Sequence, residues 1–232
     1  MVSWQSIDTV LLDMDGTLLD LCYDNTLWTA LLPVRFSEAN DMTHAQAREY
    51  LFAHMQQARG QLHFYCLDYW ADFTGLDIIS LHHELRELIR YRPNALEFLQ
   101  FLEANHKQSL LVTNAHQDSL RVKNSYCDII RRLDATISCH DYGAPKESQE
   151  FWQQLIANHP FDPARTLLID DNDAVLNSAR QFGIRHLLTI SQPDSARPPK
   201  TDSGYRALKD FSELFESVPG AGMPQATVQP RQ

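Results

Sequence analysis

The chain contains 232 residues, of which 44% are hydrophobic and 22% are charged. This is the composition of a globular protein, and the length accommodates one full domain with a smaller inserted or appended one. The formal net charge of -10 disfavours a broad interface with nucleic acid or an anionic membrane, because an acidic surface repels polyanions. The four cysteines are scattered without metal-ligand spacing, and no signal peptide or membrane span is evident. We therefore expect a soluble cytoplasmic protein.

Short apolar runs rich in β-forming residues alternate with amphipathic helical patterns along most of the chain. Strands are predicted at residues 9–12, 109–113, 135–139, 166–169 and 186–190. Helices are predicted between them at 95–103, 151–156 and 175–182. Because alternating strands and helices form parallel sheets covered on both faces, we expect an α/β fold with a Rossmann-like, doubly wound parallel sheet.

The interval between the first two strands is far longer than one crossover helix requires. It contains three helical patterns, at 43–60, 62–73 and 81–89, and the first begins with a capping-box sequence at Thr43 and Gln46. We expect an inserted helical domain at 21–90 and an α/β core made of 1–20 and 91–218. Residues 191–204 are expected to form a loop. The tail 219–232, rich in Pro, Gly and Gln, is expected to be disordered.

The strongest chemical signal is an apolar strand that leads directly into Asp13 and Asp15, followed by Gly16 and Thr17. Ligands bind at the carboxyl ends of strands in an open α/β sheet, and alternate residues of an extended chain share a face. One carboxylate can then act as a nucleophile and the other as a proton donor or acceptor. Gly16 lets the backbone approach a phosphate. The alternative is a helix cap and turn, which two acids directly after a strand disfavour.

Three later strand ends also carry polar side chains. Thr113 and Asn114 can donate hydrogen bonds to phosphate oxygens, or can form an ordinary Asn turn. Lys146 lies in a Gly/Pro loop before a helix, where it either holds an anion or is solvated at the surface. Asp170 and Asp171 are hard oxygen ligands suited to Mg²⁺ together with the first strand's carboxylate, or they cap the next helix. Four strand ends would deliver these groups to one edge of one sheet.

These motifs, in this order, resemble those of the haloacid dehalogenase-like (HAD) hydrolase superfamily over roughly residues 5–190. The resemblance implies that Asp13 is the nucleophile and Asp15 the general acid/base. It implies that Thr113 and Asn114 bind the phosphoryl group, and that Lys146 stabilises both nucleophile and phosphate. A 2-haloacid dehalogenase is disfavoured, because the second aspartate supplies the acid/base that phosphoester cleavage needs.

The resemblance also implies a Mg²⁺ site formed by the Asp13 carboxylate, the Asp15 backbone carbonyl and Asp171, with Asp170 beside them. Many relatives carry a further acid where this chain has Val175, so the division of labour between the two neighbouring aspartates stays open. Many relatives also have proline directly after the lysine that corresponds to Lys146, where this chain has Glu147.

The position of the helical insert matches the subgroup whose cap lies between the first and second motifs. Segments 11–21, 65–70 and 181–185 resemble bacterial GMP/IMP 5'-nucleotidases. That resemblance implies a small-molecule substrate, a purine nucleoside monophosphate. The alternatives are a phosphatase or phosphomutase acting on a sugar phosphate or phosphoglycolate, or an idle binding module. Four cap aromatics either pack in the cap core or stack on the base: Phe64, Tyr65, Tyr69 and Trp70.

Overall fold

Six parallel strands form one sheet in the computed structural model, which describes residues 2–215. The strands are β1 (Thr9–Leu12), β2 (Gln108–Thr113), β3 (Ala135–Ser138), β4 (Thr166–Ile169), β5 (His186–Ile190) and β6 (Arg206–Leu208). Their order across the sheet is β3-β2-β1-β4-β5-β6. The five predicted strands are confirmed within one residue at each end. β6 escaped prediction because it is three residues long and buries only Leu208.

Helices cover both faces of the sheet, as the doubly wound architecture requires. The insert contains five helices, α1 to α5, which are described below. The helices of the core are α6 (Ala95–Ala104), α7 (Gln117–Cys127), α8 (Gln149–Asn158) and α9 (Asp173–Phe182). Alternate residues of β1 point to opposite faces. Val10 and Leu12 pack in one cluster with Phe98 of α6, whereas Leu11 packs in another with Trp152 of α8. The fold class predicted from the sequence is confirmed.

The insert between β1 and α6 is helical. Its helices are α1 (Cys22–Thr26), α2 (Leu32–Ala39), α3 (His44–Ala58), α4 (Leu67–Thr74) and α5 (Ile78–Glu84). The Thr43–Gln46 capping box at the start of α3 is present. The structure adds helical structure from residue 22, joined through a π-helical turn Leu27–Leu31, to the three predicted patterns. Two of those patterns are each divided: the one at 62–73 between a 3-10 turn Leu62–Tyr65 and α4, and the one at 81–89 between α5 and a 3-10 turn Arg86–Leu88.

The insert has a hydrophobic cluster of its own, separate from the two clusters on the sheet. Leu32, Phe36, Leu51 and Trp70 are buried there together with the apolar side of α5. This separation supports the predicted division into core and cap, whose boundaries stay a prediction. From here on, "the cap" means residues 21–90.

Two remaining expectations concern irregular segments. The predicted loop 191–204, all of which the structure describes, contains neither helix nor strand. The predicted disordered tail, 219–232, lies outside the described residues. Within residues 2–215, no helix has the length and apolarity that crossing a membrane demands.

Candidate active site

The predicted catalytic side chains lie at the carboxyl ends of three adjacent strands. Asp13 comes directly after β1, Thr113 ends β2, and Asp170 comes directly after β4. β1 lies between β2 and β4, and the chain runs from β1 toward one edge of the sheet before it returns to fill the other. Such a reversal leaves a crevice at the carboxyl ends of the central strands, which is where α/β proteins bind ligands.

A buried lysine connects two of these strand ends. The Nζ of Lys146 lies 2.6 Å from Asp13 Oδ1 and 2.7 Å from Asp170 Oδ2, and it also donates to the backbone carbonyl of Val112 at 3.0 Å. The lysine is only 2% exposed. The alternative interpretation of Lys146 as a solvated surface lysine is therefore excluded, because all three ammonium protons have partners inside the protein.

The carboxylates outnumber the cations that face them. Oxygen atoms of Asp13, Asp170 and Asp171 lie within 4.8 Å of one another. Burial raises the pKa of Asp171 well above its ordinary value, and the charges of the other two aspartates raise it further. Burial also raises the pKa of Asp13, although Lys146 acts in the opposite direction. A site that disfavours its own negative charge in this way is suited to a divalent cation.

The donor atoms that remain free fit a hard cation such as Mg²⁺, which prefers oxygen ligands. Asp13 Oδ2 is buried and has no hydrogen-bond partner among the described residues. Asp170 is fully engaged, since its Oδ2 contacts Lys146 and its Oδ1 accepts from the backbone N–H of Asn172 at 2.8 Å. Asp171 has a more distant cationic neighbour, with Lys200 Nζ 3.7 Å from its Oδ2. Asp171 is thus the freer of the two neighbouring aspartates.

Gly16 allows this cluster to assemble. Its φ is +87°, in the left-handed region, and a Cβ on it would lie 2.8 Å from Asp171 Cγ. Any side chain here would therefore displace Asp171 as well as strain the backbone. Gly16 is therefore required because its backbone packs directly against the side chain of Asp171.

Thr113 and Asn114 border the same cavity as the aspartates. The Asn114 amide oxygen accepts from the backbone N–H of Lys146 at 2.9 Å, and its Nδ2 donates to Glu147 Oε2 at 2.9 Å. Thr113 Oγ1 accepts from the backbone N–H of Ala115 at 3.0 Å. Asn114 therefore orders the loop that carries Lys146, a contact that the sequence did not predict.

Asp15 is held by a second buried lysine. Lys123 Nζ lies 2.7 Å from Asp15 Oδ1 and 2.8 Å from Oδ1 of Asp24 in α1. Lys123 is 1% exposed. Burial raises the pKa of Asp15 to about 6; the charge of Asp24 raises it and that of Lys123 lowers it. Neither partner was predicted from the sequence, because a lone lysine in a helix and an acid in the cap carry no local signal.

A cavity of about 330 Å³ extends from this polar cluster into the cap. Its cap side is mostly apolar and aromatic, formed by Trp28, Met55, Phe64, Leu67 and Trp70. Pockets of this size with an apolar lining and a few convergent polar groups are typical binding sites for small molecules.

The cap aromatics divide into two groups. Phe64, Tyr65 and Trp70 line the cavity. Tyr69 is absent from that lining in the described residues and instead stacks on His54, with its hydroxyl 2.5 Å from His54 Nε2. The packing interpretation is thus correct for Tyr69, and the other three rings combine packing with access to the cavity.

Comparison with known proteins agrees with this geometry. The model of the haloacid dehalogenase-like hydrolase family matches residues 10–189. The chain belongs to this family, and the protein is an enzyme of the hydrolase class. It is 40% identical over 217 residues to the GMP/IMP nucleotidase YrfG of Escherichia coli K12, covering 94% of this chain and 98% of that protein. The same values hold for GMP/IMP nucleotidase YrfG of Shigella flexneri. The predicted resemblance is confirmed.

Solved structures support the fold. A HAD phosphatase from Thermococcus onnurineus superposes with a TM-score of 0.76 at 17% identity, over 90% of this chain and 97% of that chain. The L-2-haloacid dehalogenase of Xanthobacter autotrophicus with covalently bound chloropropionic acid has a TM-score of 0.61 at 14% identity, over 93% of this chain and 100% of that chain. At these identities the likeness concerns the architecture alone.

Proposed function

We propose that this hydrolase is a Mg²⁺-dependent 5'-nucleotidase that removes phosphate from purine nucleoside monophosphates through a phosphorylated Asp13. The supporting observation is the cavity itself. One end holds Asp13 between a buried lysine and free carboxylate oxygens, and the other end is an apolar, aromatic surface of the cap. The 40% identity to proteins named GMP/IMP nucleotidase favours the purine substrate.

In the proposed mechanism, a carboxylate oxygen of Asp13 attacks the phosphorus atom. The phosphorus–oxygen ester bond breaks, its electron pair passes to the leaving 5'-oxygen, and Asp15 supplies the proton. Water then attacks the phosphorus of the aspartyl phosphate while Asp15 takes up a proton, which releases phosphate and regenerates Asp13. A pKa of about 6 suits Asp15 to both roles, since an acid/base works best near the ambient pH.

The remaining side chains of the site would hold the phosphoryl group. Lys146 neutralises charge on Asp13 and on the phosphate, because its ammonium is fixed against the nucleophile at 2.6 Å. Thr113 and Asn114 offer a hydroxyl and an amide from the neighbouring strand end. No further cation is buried against Asp13 in the part of the chain that the structure describes.

We assign the Mg²⁺ ligands to the Asp13 and Asp171 side chains and the Asp15 backbone carbonyl. Asp170 would act indirectly, because both its oxygens already bind Lys146 and the backbone N–H of Asn172. When bound, Mg²⁺ would offset the charge that accumulates on the phosphoryl oxygens. The different hydrogen bonds of Asp170 and Asp171 support this division of roles.

The nucleoside would occupy the cap side of the cavity. A purine ring is flat and largely apolar on its faces, which suits contact with Trp28, Phe64 and Trp70. Asn25 and Thr29 also border this region and are the polar residues nearest to where the ribose or the edge of the base would lie. Selectivity must arise here, since the chemistry at Asp13 does not depend on the leaving group.

The test is kcat/KM across purine and pyrimidine monophosphates, glucose phosphates and phosphoglycolate. We expect GMP and IMP to be preferred by at least about tenfold, the discrimination that a pocket commonly obtains from apolar contacts. Phe64→Leu should lower kcat/KM for GMP and change that for glycerol phosphate little, because glycerol does not reach the cap aromatics. A preference for a glucose phosphate or phosphoglycolate over GMP would end the nucleotidase proposal and leave a phosphatase of other specificity.

A further inference from the structure

A second cluster of metal-binding side chains lies at the contact between cap and core. Cys66 stands between the 3-10 turn Leu62–Tyr65 and α4 of the cap, His116 directly precedes α7, and His140 lies in the turn after β3. One donor atom from each of these three residues lies within 4.8 Å of the other two. Neither Cys66 nor His140 borders the catalytic cavity as the structure describes it.

The donor atoms are available for a ligand. His140 Nε2 is buried and has no hydrogen-bond partner among the described residues, and an unsatisfied buried nitrogen is costly. Nδ1 of His116 accepts from the backbone N–H of Asp118 at 3.4 Å and lies 3.5 Å from Asp118 Oδ2. Binding a metal through Nε2 requires the ring proton to move to Nδ1, where the Asp118 carboxylate would accept it. Cys66 is a free thiol.

We propose that Cys66, His116 and His140 bind a divalent ion of the zinc class that ties the cap to the core. Thiolate and imidazole ligands select zinc, whereas Mg²⁺ prefers oxygen, so the two sites take different metals. At ordinary zinc–ligand bond lengths the donors of a tetrahedral site lie roughly 3.3–3.6 Å apart, so a modest contraction of the cluster completes the site.

Two neighbouring carboxylates complement this ligand set. Asp68 Oδ2 lies 3.9 Å from His116 Nε2, and its side chain is 77% exposed and free to turn inward as a fourth ligand. Asp118 lies behind His116, where its carboxylate would orient the imidazole once Nδ1 carries the ring proton. A thiolate and one aspartate would balance the charge of the ion.

Because the cluster lies between cap and core, a bound ion would affect turnover, an inference that rests on the proposed function. The cap closes over Asp13 through Tyr65, whose hydroxyl donates to Glu147 at 2.8 Å, and through Asp24, which accepts from Lys123. Opening of the cap for a nucleotide to enter would break these contacts. Because Cys66 belongs to the cap and both histidines to the core, the bound ion would hold the cap closed and inhibit turnover.

Binding is tested without substrate by titrating Co²⁺, a spectroscopic substitute for zinc, into the full chain at constant saturating Mg²⁺. We expect one bound ion with a thiolate-to-cobalt absorption band. Cys66→Ser should abolish the band and weaken Zn²⁺ binding by at least about tenfold, while the matched control Cys127→Ser should keep both. A wild-type spectrum without thiolate absorption, or one unchanged in Cys66→Ser, would overturn the site.

The inhibitory effect is tested by phosphate release at constant Mg²⁺ with increasing Zn²⁺. Wild type should lose at least about tenfold in kcat/KM, and Cys66→Ser and His140→Ala should resist the same Zn²⁺ concentrations. Equal inhibition of wild type and Cys66→Ser, or binding without loss of activity, would refute the connection between cap and core. The cobalt spectrum needs no turnover, so failure of the metal site is distinguishable from failure of the nucleotidase proposal.

Discussion

Lys146 and Lys123 are both buried, and each contacts two carboxylates, yet they hold different parts of the site. Lys146 joins Asp13 to Asp170 within the core, whereas Lys123 joins Asp15 to the cap. A buried ammonium is retained only when its charge is matched by close carboxylates. Each lysine is therefore tied to one of the two aspartates of the first motif, and each holds its partner in a fixed position.

The role of Asp13 is the most direct residue-level prediction. Asp13→Asn should fold normally and lose activity by a factor on the order of 10³ or more, because an amide is a poor nucleophile. The measurement is single-turnover phosphate release, with circular dichroism to confirm the fold. Near-normal turnover by folded Asp13→Asn protein would exclude the proposed mechanism.

His82 leads to a prediction about stability and pH. Burial lowers its pKa to about 3, and its Nδ1 lies 2.7 Å from the Tyr23 hydroxyl. Between about pH 6.5 and 3, the unfolded chain binds a proton at this residue that the folded protein does not bind, so stability falls as the pH decreases through that window. From pH 7 to pH 5 the loss attributable to this residue should be about 2 kcal/mol.

Urea unfolding of wild type and His82→Gln at both pH values measures this loss. Other titrating groups affect both proteins alike, so the difference between the two proteins isolates the histidine. His44→Gln, which replaces an exposed histidine, serves as the control and should retain the wild-type pH dependence. A pH-independent difference between wild type and His82→Gln would contradict the prediction.

At the scale of elements, α7 connects the active site to the cap. Its residue Lys123 contacts Asp24 of α1, the first helix of the cap, and Asp15 of the first motif. Asp15, the proposed general acid/base, is thus positioned by a side chain that also depends on where the cap lies. Closure of the cap and positioning of Asp15 should therefore be coupled.

Replacing Lys123 tests this coupling. Lys123→Met leaves two partly buried carboxylates without their cation, so we expect a loss of up to about 3 kcal/mol of stability and a fall in kcat of at least about tenfold. Lys123→Arg should recover much of the activity. Lys209→Met, at an exposed site, should change neither quantity. If Lys123→Met lost stability but kept the wild-type kcat and pH profile, the lysine would be purely structural.

At the scale of the whole molecule, the catalytic centre is assembled at the junction of sheet and cap at the expense of stability. Asp171 has a strongly raised pKa because it is buried beside Asp13 and Asp170, so its carboxylate destabilises the fold near neutral pH. Asp171→Asn should raise the melting temperature in EDTA by about 2–4 °C for each kcal/mol of relieved repulsion. The same change should abolish the activity.

The metal provides the contrasting measurement. Mg²⁺ should raise the melting temperature of wild type, because a ligand that binds only the folded state stabilises it, and should raise that of Asp171→Asn much less. EDTA should remove the activity of wild type. Thermal unfolding of both proteins with and without Mg²⁺ decides the matter: an equal metal response would place the ion elsewhere.

Five of the six strands, and the polar residues that follow them, could be predicted from the sequence alone. Each of the five strands predicted is a short apolar run, and burial on both faces makes such runs recognisable without knowledge of their neighbours. Asp13, Thr113 and Asp170 stand where those runs end, and the shared edge of a parallel sheet brings strand ends together. Order along the chain was therefore enough to predict these residues as one site.

The side chains that surround that site become evident in the tertiary structure alone. Lys123 interrupts the apolar side of α7, a helix the sequence analysis did not predict, and its burial becomes evident only when Asp24 approaches from the cap. Cys66 and His140 meet in the same way, across the contact between cap and core. Local patterns record whether a segment is buried, whereas pairing between distant segments depends on packing geometry that no single stretch of sequence contains.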